Sequence, residues 1–303
     1  MKTSLDCFSC LLRQALEAAR MAQADAGQQR AILNRVMELL VGVSADSTSA
    51  ETLYRVHRIV REMTGVKDPY RSVKEEAARN ALQLVPRLRE IVAQADDPLE
   101  QAVRIAIAGN IIDFAPGTVL SLVLSPSTAL RINPVEGLSK DVQFTLEATL
   151  ERVLRQPFAI NDLEALRQAL SQAERVLYLA DNAGETVFDR VLIETLKQPV
   201  IYAVKGGPIL NDATWEDAVA AGIGEVAEIV STGSDAPGMI LESCSPAFRQ
   251  LYDQAELVIA KGQANHEALG EGDRRLFFLL QVKCPVLGRE MRVEPGNIVL
   301  KQG

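Results

Sequence analysis

Apolar residues recur at spacings of three and four through five stretches of the first half of the chain, at 8–21, 31–43, 53–63, 73–92 and 99–112. That period gathers them on one side of an α-helix, and Asp25-Ala26-Gly27, Asp68-Pro69 and Asp96-Asp97-Pro98 supply the breaks between helices. The second half has a different rhythm. Short apolar runs at 176–180, 200–205, 226–232 and 257–261 alternate with helical patterns at 187–197, 214–221, 246–254 and 267–274, and a further apolar run, FFLLQVKCPVLG, follows. Apolar strands separated by helices predict right-handed βαβ units and a mostly parallel sheet covered on both faces. The expected organisation is a helical N-terminal domain over 1–150 joined to a doubly wound α/β domain over 151–303.

In such a sheet, ligands bind beyond the carboxyl ends of the strands, so the polar residues just after each run become candidates. Asp181-Asn182-Ala183-Gly184-Glu185 follows the first run, and Lys205-Gly206-Gly207-Pro208 with Asn211-Asp212 follows the second. Thr232-Gly233-Ser234-Asp235 follows the third and Lys261-Gly262-Gln263-Ala264-Asn265 the fourth. Parallel strands would line up all four clusters on one edge.

Asp181 and Asp212 are separated by one strand–helix–strand unit, so their carboxylates could converge. With an amide oxygen beside them they form a hard donor set suited to Mg²⁺ or Mn²⁺. Lys205 and Lys261, with glycine-rich turns and helix N-termini, would draw an anion to the same place. Metal-holding carboxylates beside anion-holding cations are what metal-assisted phosphoryl chemistry requires. The plainer alternative is that Asp and Asn at a strand-to-helix turn merely cap the helix and that Lys-Gly is a solvated turn. Caps, however, require neither lysines nor a second acid.

Composition narrows the field. The chain has 303 residues, 48% hydrophobic and 24% charged, as in an ordinary globular protein. Its 32 basic against 40 acidic residues leave a net charge of -8, the wrong sign for a general nucleic-acid binder. The first residues lack the basic and apolar segments of a secretory leader, and the apolar stretch at 118–130 is broken by Ser and Pro. A cytoplasmic protein with no membrane partner is expected, its oligomeric state open.

Four cysteines are too few for a disulfide scaffold. Cys7 and Cys10 have CxxC spacing, which Cys284 could join in space to hold a second metal; buried thiols and redox chemistry are the alternatives. Of the two histidines, His266 lies just beyond the Lys261 turn, where a general acid or base or a solvated helix-start residue would sit, while His57 falls inside a helical pattern. No turn matches Gly-x-Gly-x-x-Gly or a P-loop.

Taken in order, Cys7-Phe8-Ser9-Cys10, Asp68-Pro69-Tyr70, Gly109-Asn110-Ile111-Ile112-Asp113, Asp181-Asn182-Ala183-Gly184-Glu185, Lys205-Gly206-Gly207-Pro208 with Asn211-Asp212, and Lys261-Gly262-Gln263 resemble the damage-control phosphatase family, long catalogued as domain of unknown function 89. The CxxC start is similar to the branch common in prokaryotes. The resemblance implies a helical portion packed on a Rossmann-like α/β/α domain and metal-dependent hydrolysis of phosphate esters such as sugar phosphates or damaged phosphometabolites. It also implies that Asp181, Asn182 and Asp212 hold the metal. Where relatives read Lys-Gly-Gln-Gly-Asn-Phe-Glu, this chain has Ala264 and His266, a departure that bears on substrate preference.

The expectation is therefore a phosphatase using one divalent ion, Mg, Mn, Co or Ni, on a small phosphorylated metabolite. Lys205, Lys261 and Asn211 would bind the phosphate side, with Asn110 and Asp113 closing the site from the helical unit. Glu185 or Asp212 would position water, or Asp181 would take the phosphoryl group covalently. The competing readings are a carboxyl methyltransferase using S-adenosylmethionine and a non-catalytic metabolite- or metal-binding protein centred on CxxC.

Overall fold

The structure is a computed structural model that describes residues 2–44, 46–111 and 150–303. Five helices open the chain: α1 (Leu5–Met21), α2 (Ala26–Val41), α3 (Ser49–Thr64), α4 (Arg71–Ala93) and α5 (Pro98–Ile111). Local chemistry sets several of their ends. Asp25 with Gln28, and Thr48 with Glu51, form reciprocal capping boxes at α2 and α3, and Gly65 ends α3 in the left-handed conformation (φ 71°).

From residue 158 onward the chain alternates strands and helices: β1 (Phe158–Asn161), α6 (Leu163–Gln172), β2 (Val176–Leu179), α7 (Thr186–Thr195), β3 (Val200–Val204), α8 (Trp215–Ala220) and β4 (Glu228–Ser231). It continues through α9 (Pro246–Gln254), β5 (Val258–Lys261), α10 (Gly262–Leu269), β6 (Leu276–Gln281), α11 (Pro285–Met291) and β7 (Ile298–Gln302). The seven strands form one sheet in the order β1-β7-β6-β5-β2-β3-β4. β4, β3, β2, β5 and β6 are parallel, whereas β7 pairs antiparallel with β6 and β1 runs with β7.

Alternation along the strands feeds two cores. Tyr178, Tyr202, Ile259, Phe277 and Leu279 face a layer that includes α4, α5, α6 and α7, while Leu177, Leu179, Ala260, Phe278 and Leu280 face α9 and α11. A third cluster joins α1, α2 and α3. The expected α/β/α sandwich with a mostly parallel sheet and N-terminal helices is thus present. Two strands differ from expectation: β1 and β7 are not among the predicted runs, since β1 is a short, alternately buried edge (Phe158–Asn161) and β7 follows a turn rather than a helix.

The predicted helix at 267–274 is also displaced, starting instead at Gly262, directly after β5. Gly262 (φ 78°) lets the strand turn straight into the helix, and Gly270 (φ 68°) ends it before 271–274. Among the described residues no helix is long and apolar enough to cross a membrane.

Polar ties lock the first helices onto the sheet edge. The buried Lys74 ammonium lies 3.0 Å from both Asp68 and Asp217, which gives the Asp68-Pro69-Tyr70 segment a structural role. Arg61 donates to the Pro208 carbonyl (2.8 Å) and pairs with Asp235 Oδ2 (2.8 Å), to which Tyr54 also donates through Oδ1 (3.0 Å). Ser49 donates to Glu267 on α10. These contacts fix the loops after β3 and β4 from above.

Candidate functional site

The strand order reverses at β2. From there the chain builds outward through β3 and β4, then returns to β2's other side with β5 and β6. A crevice at the carboxyl ends of β2 and β5 follows from that reversal. Asp181 stands at one lip and Gly262 at the other. A Cβ placed on Gly262 would lie 1.8 Å from Asp181 Oδ2, so only glycine allows this approach.

The loop after β3 folds back onto the turn after β2. Asn182 and Asp212 form an isolated antiparallel bridge, Ala213 N donates to Asp181 O (2.8 Å) and Ala183 N to Asn211 O (2.8 Å). This pairing sets Asp181, Asn182 and Asp212 side by side at the floor of the crevice, all buried. Leu210 adopts a positive φ of 47°, so this return loop carries local backbone strain.

Asn110, from the end of α5, reaches the same place. Its Nδ2 donates to Asp181 Oδ2 (2.9 Å) and Glu185 Oε1 (2.6 Å), and its Oδ1 accepts from Gln281 N (3.4 Å). α5 can come this close because Gly109 abuts Phe188 of α7, where a Cβ would sit 2.9 Å from the Phe188 Cβ. Asn182 Nδ2 likewise donates to Asp181 (3.1 Å) and Glu185 (2.5 Å), which leaves its amide oxygen as the atom available to a cation.

Beneath the turn lies an ionic network with no access to solvent. The Lys261 ammonium donates to Glu185 Oε2 (2.8 Å), Asp189 Oδ1 (2.6 Å) and the Ala106 carbonyl (2.8 Å), which uses all three of its protons. Tyr178 and Tyr202, stacked 5.3 Å apart, donate to Asp189 Oδ1 and Oδ2 at 2.8 and 2.7 Å. Burial works against the charge on Lys261, but Asp189 and Glu185 outweigh it and raise its pKa. Burial would raise Glu185, yet Lys261 and then Lys283 prevail and hold its carboxyl below the usual range. Burial, with Glu185 close by, pushes Asp189 up against the pull of Lys261.

The expected residues are therefore placed unequally. Asp181, Asn182, Asp212, Glu185 and Asn110 converge. Lys205 joins them from β3, its ammonium bonded to the Gly238 carbonyl (2.5 Å) and 3.5 Å from Asp212 Oδ2. Lys261, expected to meet a phosphate, is instead fully buried and bound to carboxylates, because the chain enters α10 without a loop that would expose it. Asn211 contributes its backbone carbonyl, and Asp113 lies outside the described residues. Asp189, a partner of Lys261, went unnoticed in sequence because an acid in the first turn of an amphipathic helix reads as dipole compensation.

The thiols and histidines stand elsewhere. Cys7 and Cys10 lie on the first turns of α1, and Cys284 caps α11, with Leu287 N at 3.4 Å from its sulfur. Among the described residues no three His, Cys, Asp or Glu side chains form a group able to hold a metal. A cation in the crevice would accordingly combine the two carboxylates of Asp181 and Asp212 with the Asn182 amide oxygen and with water or substrate. That oxygen-only set fits a hard divalent ion.

His266 does not face the crevice; it packs edge-on to Phe278 at 4.7 Å. Its Nε2 is 3.6 Å from Glu271, too long for a hydrogen bond. Burial drives its pKa down to about 4, and burial followed by Arg61 drives that of His57 down to about 3. Both folded values lie below the unfolded value near 6.5, so each ring contributes stability above that pH and loses it as acid charges the unfolded chain first. Unfolding free energy should fall by roughly 2 kcal/mol per ring between pH 7 and 5. Denaturant titrations of the native chain and His266→Phe would measure it, and an equal pH slope in both would discard the contribution of His266.

Comparison with known proteins adds to this geometry. The family described as damage-control phosphatase ARMT1-like domain matches residues 3–299. An uncharacterized protein of Methanocaldococcus jannaschii is 35% identical, covering 100% of this chain and 96% of its own length. A protein of Archaeoglobus fulgidus named damage-control phosphatase is 33% identical over 99% of both chains. The crystal structure of a DUF89 family protein from Pyrococcus horikoshii superimposes with a TM-score of 0.83 at 31% identity, covering 100% of this chain and 99% of that one.

Proposed function

This chain belongs to the damage-control phosphatase ARMT1-like domain family, and from that premise we propose that it hydrolyses small phosphorylated metabolites with a divalent ion held by Asp181, Asn182 and Asp212. The observation that carries the assignment of residues is the Asn182–Asp212 bridge, which brings together donors from the turns after β2 and β3.

A bound divalent ion would polarise a phosphoryl oxygen and offset charge that develops in transfer. The chain's own groups supply orientation. Asn110 and Asn182 span Asp181 and Glu185, so the rotamers of both carboxylates are set before substrate arrives. Glu185, enclosed and bound to Lys261, serves as the fixed acceptor for those two amides rather than as a base that meets water. Asp212, with Lys205 at 3.5 Å, is the better placed carboxylate to orient an attacking water. The Lys205 charge favours the incoming phosphate over the neutral alcohol product.

The test uses phosphate release from sugar phosphates, nucleotides and a generic aryl phosphate. Chelator-treated protein should fall to background, and at least one of Mg²⁺, Mn²⁺, Co²⁺ and Ni²⁺ supplied separately should restore turnover. Undiminished release after chelation would remove the metal from the proposal, and no release under any condition by folded protein would remove the phosphatase.

A further inference from the structure

We propose that Cys7 and Cys10 form a reversible dithiol–disulfide centre that exchanges with small-molecule disulfides, a chemistry separate from the phosphatase function proposed above. The pair lies in the first two turns of α1 (Leu5–Met21). Residues three apart on an α-helix have Cα atoms about 5 Å from each other, inside the range of roughly 4.4–6.8 Å that a disulfide spans. Their side chains also point to one side of the helix. The two sulfurs are thus placed to join without unwinding α1.

Both thiols are free and partly exposed. Cys7 packs against the core of α1, α2 and α3, a cluster to which Cys10 does not belong. The Cys10 sulfur instead faces two N–H donors, Gln14 Nε2 at 3.2 Å and Arg13 Nη2 at 3.8 Å. Such donors hold the negative charge that a sulfur carries when it attacks and when it leaves. The surrounding helix is anchored on both sides. Thr3 N donates to Ser47 O (2.9 Å), Thr3 Oγ1 meets Thr52 Oγ1 (3.1 Å) and Asp6 pairs with Arg289 of α11, while Leu11 and Ala15 are buried in the core that follows. Oxidation and reduction can then proceed with the helix in place.

The other two thiols are committed elsewhere. Cys244 is buried with its sulfur 3.7 Å from Met239 Sδ, and burial raises its pKa. Cys284 accepts from Gln263 Nε2 (3.2 Å) and Leu287 N (3.4 Å), and burial raises its pKa as well. A thiol held protonated is a poor nucleophile, so Cys244 and Cys284 serve as internal references.

The exchange runs in two steps. The Cys10 thiolate attacks one sulfur of the small disulfide; that S–S bond breaks, and the leaving thiolate takes up the proton that Cys10 gave to solvent. The Cys7 thiolate then attacks the Cys10 sulfur and displaces the second small thiolate, which takes up the Cys7 proton. Two protein thiols are oxidised and one small disulfide is reduced to two thiols. An external dithiol reverses the sequence.

The test incubates the folded, pre-reduced native chain, Cys7→Ser and Cys10→Ser with oxidised glutathione and reads free thiols, intact mass and far-ultraviolet circular dichroism. The native chain should lose two of its four thiols, carry no glutathione, weigh less by two hydrogens and yield a peptide joining Cys7 to Cys10. Dithiothreitol should restore all four, and the circular dichroism should stay unchanged throughout. Cys7→Ser should stop with one glutathione on Cys10, and Cys10→Ser should react about ten-fold more slowly than Cys7→Ser. A native chain that keeps all four thiols, that stops with glutathione attached, that links Cys284 instead, or that reacts only when unfolded would overturn the centre.

Discussion

Replacing Asp181 with Ala is expected to reduce phosphate release by roughly 10³-fold or more while the protein stays folded. The carboxylate is one of the two that a cation in the crevice would use, and the neighbouring Glu185 is already bound by Lys261. Its neighbours Glu185 and Asp212 are themselves acidic, and the amides that contact it, from Asn110 and Asn182, each retain their bond to Glu185 Oε1. The fold loses little, and repulsion among clustered carboxylates is relieved. The melting temperature without metal should therefore hold or rise, the pattern in which a functional site is bought at the expense of stability. Added Mn²⁺ should stabilise the native chain and not the variant. Substantial turnover in Asp181→Ala, or a variant that unfolds, would reject the placement of the site.

The second large effect is expected at Lys261, and it has the opposite character. Lys261→Met removes the ammonium that pairs with both Glu185 and Asp189 from a place with no exposed surface. Breaking a buried ionic network by deleting one partner costs about 3–5 kcal/mol, since the remaining charges stay desolvated. For a chain of this size the melting temperature should drop on the order of 10 °C. Activity should fall with it, as Glu185 no longer has a fixed orientation from which to receive Asn110 and Asn182. A double-mutant cycle separates this account from simple loss of packing. Adding Asp189→Asn to Lys261→Met should recover part of the lost stability, because one orphaned charge disappears. Strict additivity of the two substitutions would mean that the pair is not coupled, and the network would lose its role in holding the site.

The periodicity of three and four in the first half and the apolar runs of the second determined most elements of this chain. A helix is built from contacts within one segment, so its apolar stripe is visible locally, and a buried parallel strand is marked by an uninterrupted run such as 176–180. The polar residues that follow those runs, Asp181, Asn182, Lys205 and Asp212, were legible for the same reason: the carboxyl edge of a parallel sheet is implied by the alternation of strand and helix. β1 and β7 were not, because an edge strand is defined by the neighbour it finds.

Only the tertiary structure decided how the charges divide their work. Lys261 and Lys283 both follow a strand and carry the same group, and nothing in either segment alone separates them. Chain entry into α10 at Gly262 sinks Lys261 between Glu185, Asp189 and Ala106, while Lys283, just beyond β6, stays half-exposed. The side of Asn110 that meets Asp181, and the Asn182–Asp212 bridge, likewise join segments distant in sequence. Burial and ion pairing are properties of three-dimensional neighbours, and they determine whether a charged side chain holds the protein together or remains available to a ligand.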